Sequence, residues 1–168
     1  MITKGTFLII YIIISRIFEL FLSYKNTNRL MKIGGVEYYS FHYKFLIFFH
    51  IFFVFYFLVM SLNTYVYDEN LLLIFILIQF LRYKIIYDLG KFWTTKIIVL
   101  KDVPLVKSGV YKFLRHPNYM IVFVEVFLVC LIFFDYQALI FFSLSNLVLL
   151  LVRIHYEDKA NRTRRDNF

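Results

Sequence analysis

Apolar runs of bilayer-crossing length divide this chain, and nothing constrains its fold more: Phe7 to Ser23, Lys44 to Leu62, Pro117 to about Phe134, and about Gln137 to Arg153. Hydrocarbon offers no water to the backbone, so each run must close its own hydrogen bonds as a helix. With 61% hydrophobic and 22% aromatic residues, a mean hydropathy of +0.71, and only 5 Gly and 2 Pro, the chain is too apolar for a soluble domain of 168 residues. The expected class is an all-α integral membrane protein with about five transmembrane helices.

The remaining helix is less plain. It begins at Leu71, yet only eleven uncharged residues, Leu71 to Leu81, precede Arg82 and Lys84. The pattern Arg82-Tyr-Lys-Ile-Ile-Tyr-Asp-Leu-Gly90 extends it, with a polar face turned into the bundle or the headgroups, to an end near Gly90. Basic residues crowd segments 24–43 and 89–116 and the tail after Arg153, whereas 63–70 and 135–136 hold none. The positive-inside rule then predicts an N-terminus outside and a C-terminus inside the cell membrane. The net charge of +8 therefore marks cytoplasmic loops, and nucleic acid is set aside as a partner. A single cysteine, Cys130, lies inside an apolar run and gives neither a disulfide framework nor a metal site. One membrane domain is expected, with three N-terminal helices over 1–88 and a functional core over 89–168.

Within the runs, Arg16 and Glu19 share a helical face and read first as a structural pair. His50, alone in its run, reads as a packing residue or a hydrogen-bond donor to a neighbouring helix. Tyr24 to Tyr43 reads as a polar loop broken at Gly34-Gly35, Trp93 as an interfacial anchor, and Ile97-Ile-Val-Leu100 as a short extended segment able to cover a pocket.

Chemistry concentrates at Gly109-Val-Tyr-Lys-Phe-Leu-Arg-His-Pro-Asn-Tyr119. Pro117 suits the first turn of a helix and pushes His116 towards an extended conformation, so Arg115 and His116 stand at a helix mouth whose free N–H groups favour a carboxylate. Anchoring by Arg115 and capping by His116 is the structural alternative. The last two runs form an antiparallel hairpin. A turn centred at Tyr136 sets Arg153 level with Tyr119, Glu157 level with Arg115, and Asn146 near Glu125 as its expected partner.

These residues carry a resemblance. Gly109-x-Tyr111, Arg115-His-Pro-Asn-Tyr119, Glu125 and Arg153-Ile-x-x-Glu157-Asp158 are similar to the pattern of the isoprenylcysteine carboxyl methyltransferase family. Leu89-Gly-Lys-Phe-Trp-Thr-Thr-Lys-Ile-Ile-Val-Leu100 and Glu157-Asp-Lys-Ala resemble a bacterial branch with an alkylpyrone O-methyltransferase acting on type III polyketide products. The resemblance implies S-adenosyl-L-methionine bound at the cytoplasmic end of the last two helices, with a lipophilic acceptor entering from the membrane. Tyr111, Arg115, His116, Pro117, Tyr119, Glu157 and Asp158 are then the expected cofactor residues, and Arg153 and Glu157 the catalytic ones. Arg153, Glu125, Trp93 and Arg82 are the expected acceptor residues. A polyketide synthase is the implied supplier of the acceptor. Two departures stand out: Ile121 replaces a glycine common after the motif tyrosine, and Glu157-Asp158 replaces a Glu-Glu pair. Only ten residues follow Asp158, which favours a small-molecule acceptor over a protein.

Methyl transfer from a sulfonium needs in-line placement more than a strong base, and an ionised acceptor needs only a counter-charge, here Arg153. The alternatives are a prenylcysteine carboxyl methyltransferase, a non-enzymatic transporter or scaffold subunit, and a nicotinamide-dependent membrane reductase. The last lacks a dinucleotide glycine fingerprint.

Overall fold

The computed structural model describes residues 3–63, 68–101, 103–162 and 164. Five α-helices carry the chain: α1 (Lys4–Lys32), α2 (Ser40–Asn63), α3 (Glu69–Leu89), α4 (Pro117–Ile132) and α5 (Tyr136–Ala160). An antiparallel pair joins β1 (Val36–Tyr38) to β2 (Ile97–Val99), with Glu37 opposite Ile98, and single 3-10 turns cover Gly90–Phe92 and Gly109–Lys112. The protein is an all-α membrane protein: α1, α2, α3 and α5 are long and apolar enough to cross a bilayer. The fourth helix has 16 residues, about 24 Å at 1.5 Å per residue, short of a hydrocarbon core of roughly 30 Å.

Local chemistry sets the helix starts. Thr3 and Thr6 form a capping box on α1, Asp68 accepts from the N–H groups of Asn70 and Leu71, and Asp135 accepts from that of Ala138. Pro117 opens α4 behind His116, whose backbone, at φ −131° and ψ 54°, is neither helical nor in the extended conformation expected before proline, and whose side chain makes no cap. Phe134, in the left-handed region at φ 55°, makes the sharp α4–α5 turn. Two helices outrun their expected ends. The first continues past Ser23 because no breaker intervenes before Gly34, and the fifth continues past Arg153 to Ala160 for the same reason. The first half of the expected 24–43 loop is therefore helical. Within the expected 63–70 loop, positions 64–67 lie outside the described residues.

Phe49, Phe53 and Phe57 repeat at one-turn spacing on α2 and close around Phe142 of α5, with Phe53 and Phe142 edge to face at 5.1 Å. Ile9 and Ile12 of α1, Phe75 of α3 and Val126 and Val129 of α4 complete this dry core.

Below it lies a buried charge cluster joining α1, α3 and α4. Arg82 donates from Nε and Nη2 to the two oxygens of Glu19, at 2.5 and 2.6 Å, and from Nη1 to Glu125 at 2.5 Å. Arg16 reaches Glu19 at 3.0 Å and Glu125 at 2.6 Å, and Gln79 donates to Glu125 at 2.7 Å. Two cations and two carboxylates cancel, which is what makes four charges tolerable at this depth. The Arg16–Glu19 pair is thus half of a larger unit. Asn146 is not the partner of Glu125; it donates instead to the Val122 carbonyl at 3.4 Å. His50 bonds the Leu46 carbonyl of its own helix at 2.8 Å rather than a neighbouring helix.

Candidate active site

One end of the bundle, where α1, α3 and α5 finish and α4 begins, holds a cavity of about 690 Å³. That is the size of a small-molecule or cofactor site. The wall on one side is the segment after α3. Asn26 of α1 donates to the carbonyls of Gly90 at 3.1 Å and Trp93 at 2.8 Å, and Ser23 accepts from the Thr95 N–H at 2.9 Å. The overrun of α1 therefore pins the cavity wall. The extended segment Ile97–Val99, held against β1, contributes Ile97 and Ile98 to the lining.

The rim is the 3-10 turn Gly109–Lys112. Gly109 has φ +58°, and a Cβ there would collide with the Asp88 carboxylate, which accepts from the Val110 N–H at 3.0 Å. Glycine is thus required for the rim to close on α3. That closure carries Tyr111 into the cavity lining. Burial, and then the charge of Glu157, push the Tyr111 phenol well above its ordinary range, so its O–H stays a donor at neutral pH.

The floor is the α4–α5 corner. Arg153 donates from Nε to the Tyr119 hydroxyl at 2.9 Å, and that hydroxyl donates to Glu157 Oε2. His116 Nε2 meets Asp158 at 2.9 Å, its Nδ1 lies 3.8 Å from Glu157, and its ring stacks on Tyr119. Arg153 is only 5% exposed, and its Nη1 has no hydrogen-bond partner among the described residues. A buried guanidinium donor left unpaired in this way asks for an acceptor atom. Two further lining residues leave a buried polar atom unpaired among the described residues, Trp93 at Nε1 and Asn118 at Oδ1.

Of the residues expected from sequence, Tyr111, Arg115, His116, Pro117, Tyr119, Arg153, Glu157 and Trp93 line this one cavity. Asp158 does not line it but faces His116. Arg82 and Glu125 do not line it either, because each is consumed by the charge cluster deeper in the bundle. Trp93 is 2% exposed, so it is a buried wall residue and not a lipid-facing anchor. Glu157 meets Tyr119 rather than Arg115. Sequence reasoning missed Asn118, Asn161 and Arg164. Asn161 follows Glu157 by one turn on the same face, and Arg164 clamps the Val103 and Pro104 carbonyls at 2.8 and 3.2 Å. Continuing the helical period of α5 past Arg153 would have found Asn161.

A bundle of apolar helices thus carries at one end a cavity floored by an Arg-His-Pro-Asn-Tyr turn and an Arg-x-x-x-Glu turn. The family model of the isoprenylcysteine carboxyl methyltransferase (ICMT) family matches residues 71–162, and the chain belongs to that family. It is a family of membrane methyltransferases that use S-adenosylmethionine. Among its relatives, an uncharacterized protein of Bacillus subtilis (strain 168), YpbQ, is 36% identical over 157 residues, covering 91% of this chain and 94% of the relative. An uncharacterized protein of Haemophilus influenzae is 33% identical over 78 residues, 45% of each chain. No protein of solved structure matches.

Proposed function

We propose that this chain is an S-adenosylmethionine-dependent O-methyltransferase acting on a lipophilic small molecule with an acidic oxygen, such as an alkylpyrone polyketide. The observation that carries the reading is the buried, unpaired Nη1 donor of Arg153, a residue of the cavity lining. An anionic acceptor oxygen answers that donor by a charge-assisted hydrogen bond.

The donor set fits the cofactor. Glu157 offers carboxylate oxygens to an ammonium or a ribose, Arg115 and the start of α4 suit a carboxylate, and Leu100, Pro104, Leu105 and Val106 offer an apolar slot for a base. When bound there, the cofactor supplies a methyl group activated on a sulfonium. The protein's share is placement. His116, fixed by Asp158, and Tyr119, stacked on His116, hold the cofactor side of the floor, while Arg153 orients the acceptor oxygen from one turn deeper on α5. An acceptor that arrives ionised needs no base, since methylation removes its negative charge as the sulfonium loses its positive one. The floor lies where α4 begins, and the tail of a lipophilic acceptor would run from it along the apolar helix faces. The charge distribution supports a cytoplasmic cavity with the N-terminus outside, on the side where the cofactor is made.

Arg153→Ala separates the roles. Turnover of a 4-hydroxy-6-alkyl-2-pyrone should vanish while S-adenosylhomocysteine binding, by calorimetry, stays within a few-fold of wild type. Loss of both together, with a lowered melting temperature, would make Arg153 a hairpin fastener and refute its place at the acceptor.

A further inference from the structure

The Tyr119 hydroxyl lies between two groups that serve different ligands. Chemistry fixes the direction of both its hydrogen bonds. A guanidinium has only donors, so the phenol oxygen accepts from Arg153 Nε at 2.9 Å, and its single proton is then given to Glu157. The ring is held on two sides, by His116 stacked at 5.6 Å and by Arg153 Cζ at 5.6 Å from the centroid. Arg153 and Glu157 are one helical turn apart, and no direct bond between them is seen among the described residues. Beside the direct attraction of their charges, the hydrogen-bonded path between them runs through one oxygen atom, the Tyr119 hydroxyl.

We infer that Tyr119 is a positioning residue that couples cofactor and acceptor binding through its hydroxyl. The inference rests on the methyl-transfer reading and gives it a binding cooperativity in which either ligand, arriving first, tightens the other. In a hydrogen-bonded chain each member polarises the next. A cation arriving at Glu157 draws on its lone pairs, weakens the pull on the Tyr119 proton, and makes the phenol oxygen a poorer acceptor for Arg153. The guanidinium is then less compensated and holds an anion at Nη1 more tightly. An anion at Arg153 acts in reverse and frees Glu157 for the cofactor's ammonium. Reciprocity requires the two effects to be equal.

The test uses purified full-length protein, with S-adenosylhomocysteine and a 4-hydroxy-6-alkyl-2-pyrone as probes and dodecanoate as a second anion. In wild type each probe should tighten the other by the same factor, about fivefold or more. Tyr119→Phe keeps the ring and its stacking but lacks the hydroxyl, and the factor should fall to about one. A factor retained in Tyr119→Phe would show that direct attraction between the ligands suffices and would overturn the relay, as would a wild type without coupling. If Tyr119→Phe does not fold, Glu157→Gln gives the reading. It should bind the pyrone more tightly without cofactor, and S-adenosylhomocysteine should add nothing further; unchanged pyrone affinity overturns the relay. Wild type that binds S-adenosylhomocysteine but neither anion contradicts the acceptor role of Arg153 and the relay with it. Wild type that binds no S-adenosylhomocysteine overturns the methyl-transfer reading itself.

Discussion

Removing the Arg82 side chain should destabilise the protein more than any other single truncation in the charge cluster, and without touching the cavity. Arg82 makes three of the cluster's charged contacts: two to Glu19, at 2.5 and 2.6 Å, and one to Glu125 at 2.5 Å. At 2% side-chain exposure it has no water to share them with. In Arg82→Ala, Arg16 alone faces two carboxylates of like charge, both 5% exposed. Breaking a buried ion pair by deleting one partner costs about 3–5 kcal/mol, because the charge left behind is uncompensated. Arg16→Ala should cost less, since its side chain is 23% exposed and Arg82 still bridges both carboxylates. Thermal melting in detergent, compared across wild type, Arg16→Ala and Arg82→Ala, should rank them in that order. Arg82→Ala protein that still folds should bind S-adenosylhomocysteine within a few-fold of wild type. A melting temperature unchanged in Arg82→Ala, or binding lost with stability intact, would refute the view that this cluster braces the helices and takes no part in the site.

His116→Ala and Glu157→Ala should each weaken S-adenosylhomocysteine binding by about 1–3 kcal/mol, the cost of leaving one buried polar partner unpaired, as calorimetry would show. Gly109→Ala forces a side chain into a left-handed position against Asp88 and should loosen the rim, lowering cofactor affinity with little change in melting temperature. Cysteines placed in 63–70 should react with an impermeant thiol reagent from outside intact cells, and cysteines in 89–116 should not. The opposite pattern would put the cavity on the side without cofactor.

What sequence made legible was whatever depends on neighbours along the chain. The apolar runs became helices, Pro117 opened α4, and the tight turn near Asp135 brought Arg153 to Tyr119. The structure departs from the sequence reading where three helices meet. Arg82 and Glu125 read as acceptor residues because a lone charge in a membrane helix signals function. Their answer, Glu19 and Arg16 on α1, depends on how α1, α3 and α4 rotate against one another, which no spacing within one helix reveals. Trp93 read as an interfacial anchor for a similar reason: its burial follows from Asn26 on an unforeseen extension of α1 holding its carbonyl. Depth alone pairs Glu125 with Asn146, whereas in the structure Arg16, Gln79 and Arg82 occupy the carboxylate.

The most direct measurement is of methyl transfer itself. Membranes from cells making the wild-type protein, Arg153→Ala or Glu157→Ala are incubated with methyl-labelled S-adenosylmethionine, and the lipid extract is separated and its labelled species identified. The account predicts a labelled, apolar methyl ether or ester formed by wild type and absent with either variant. Equal labelling from all three, or none from wild type supplied with an acidic alkylpyrone, would contradict it.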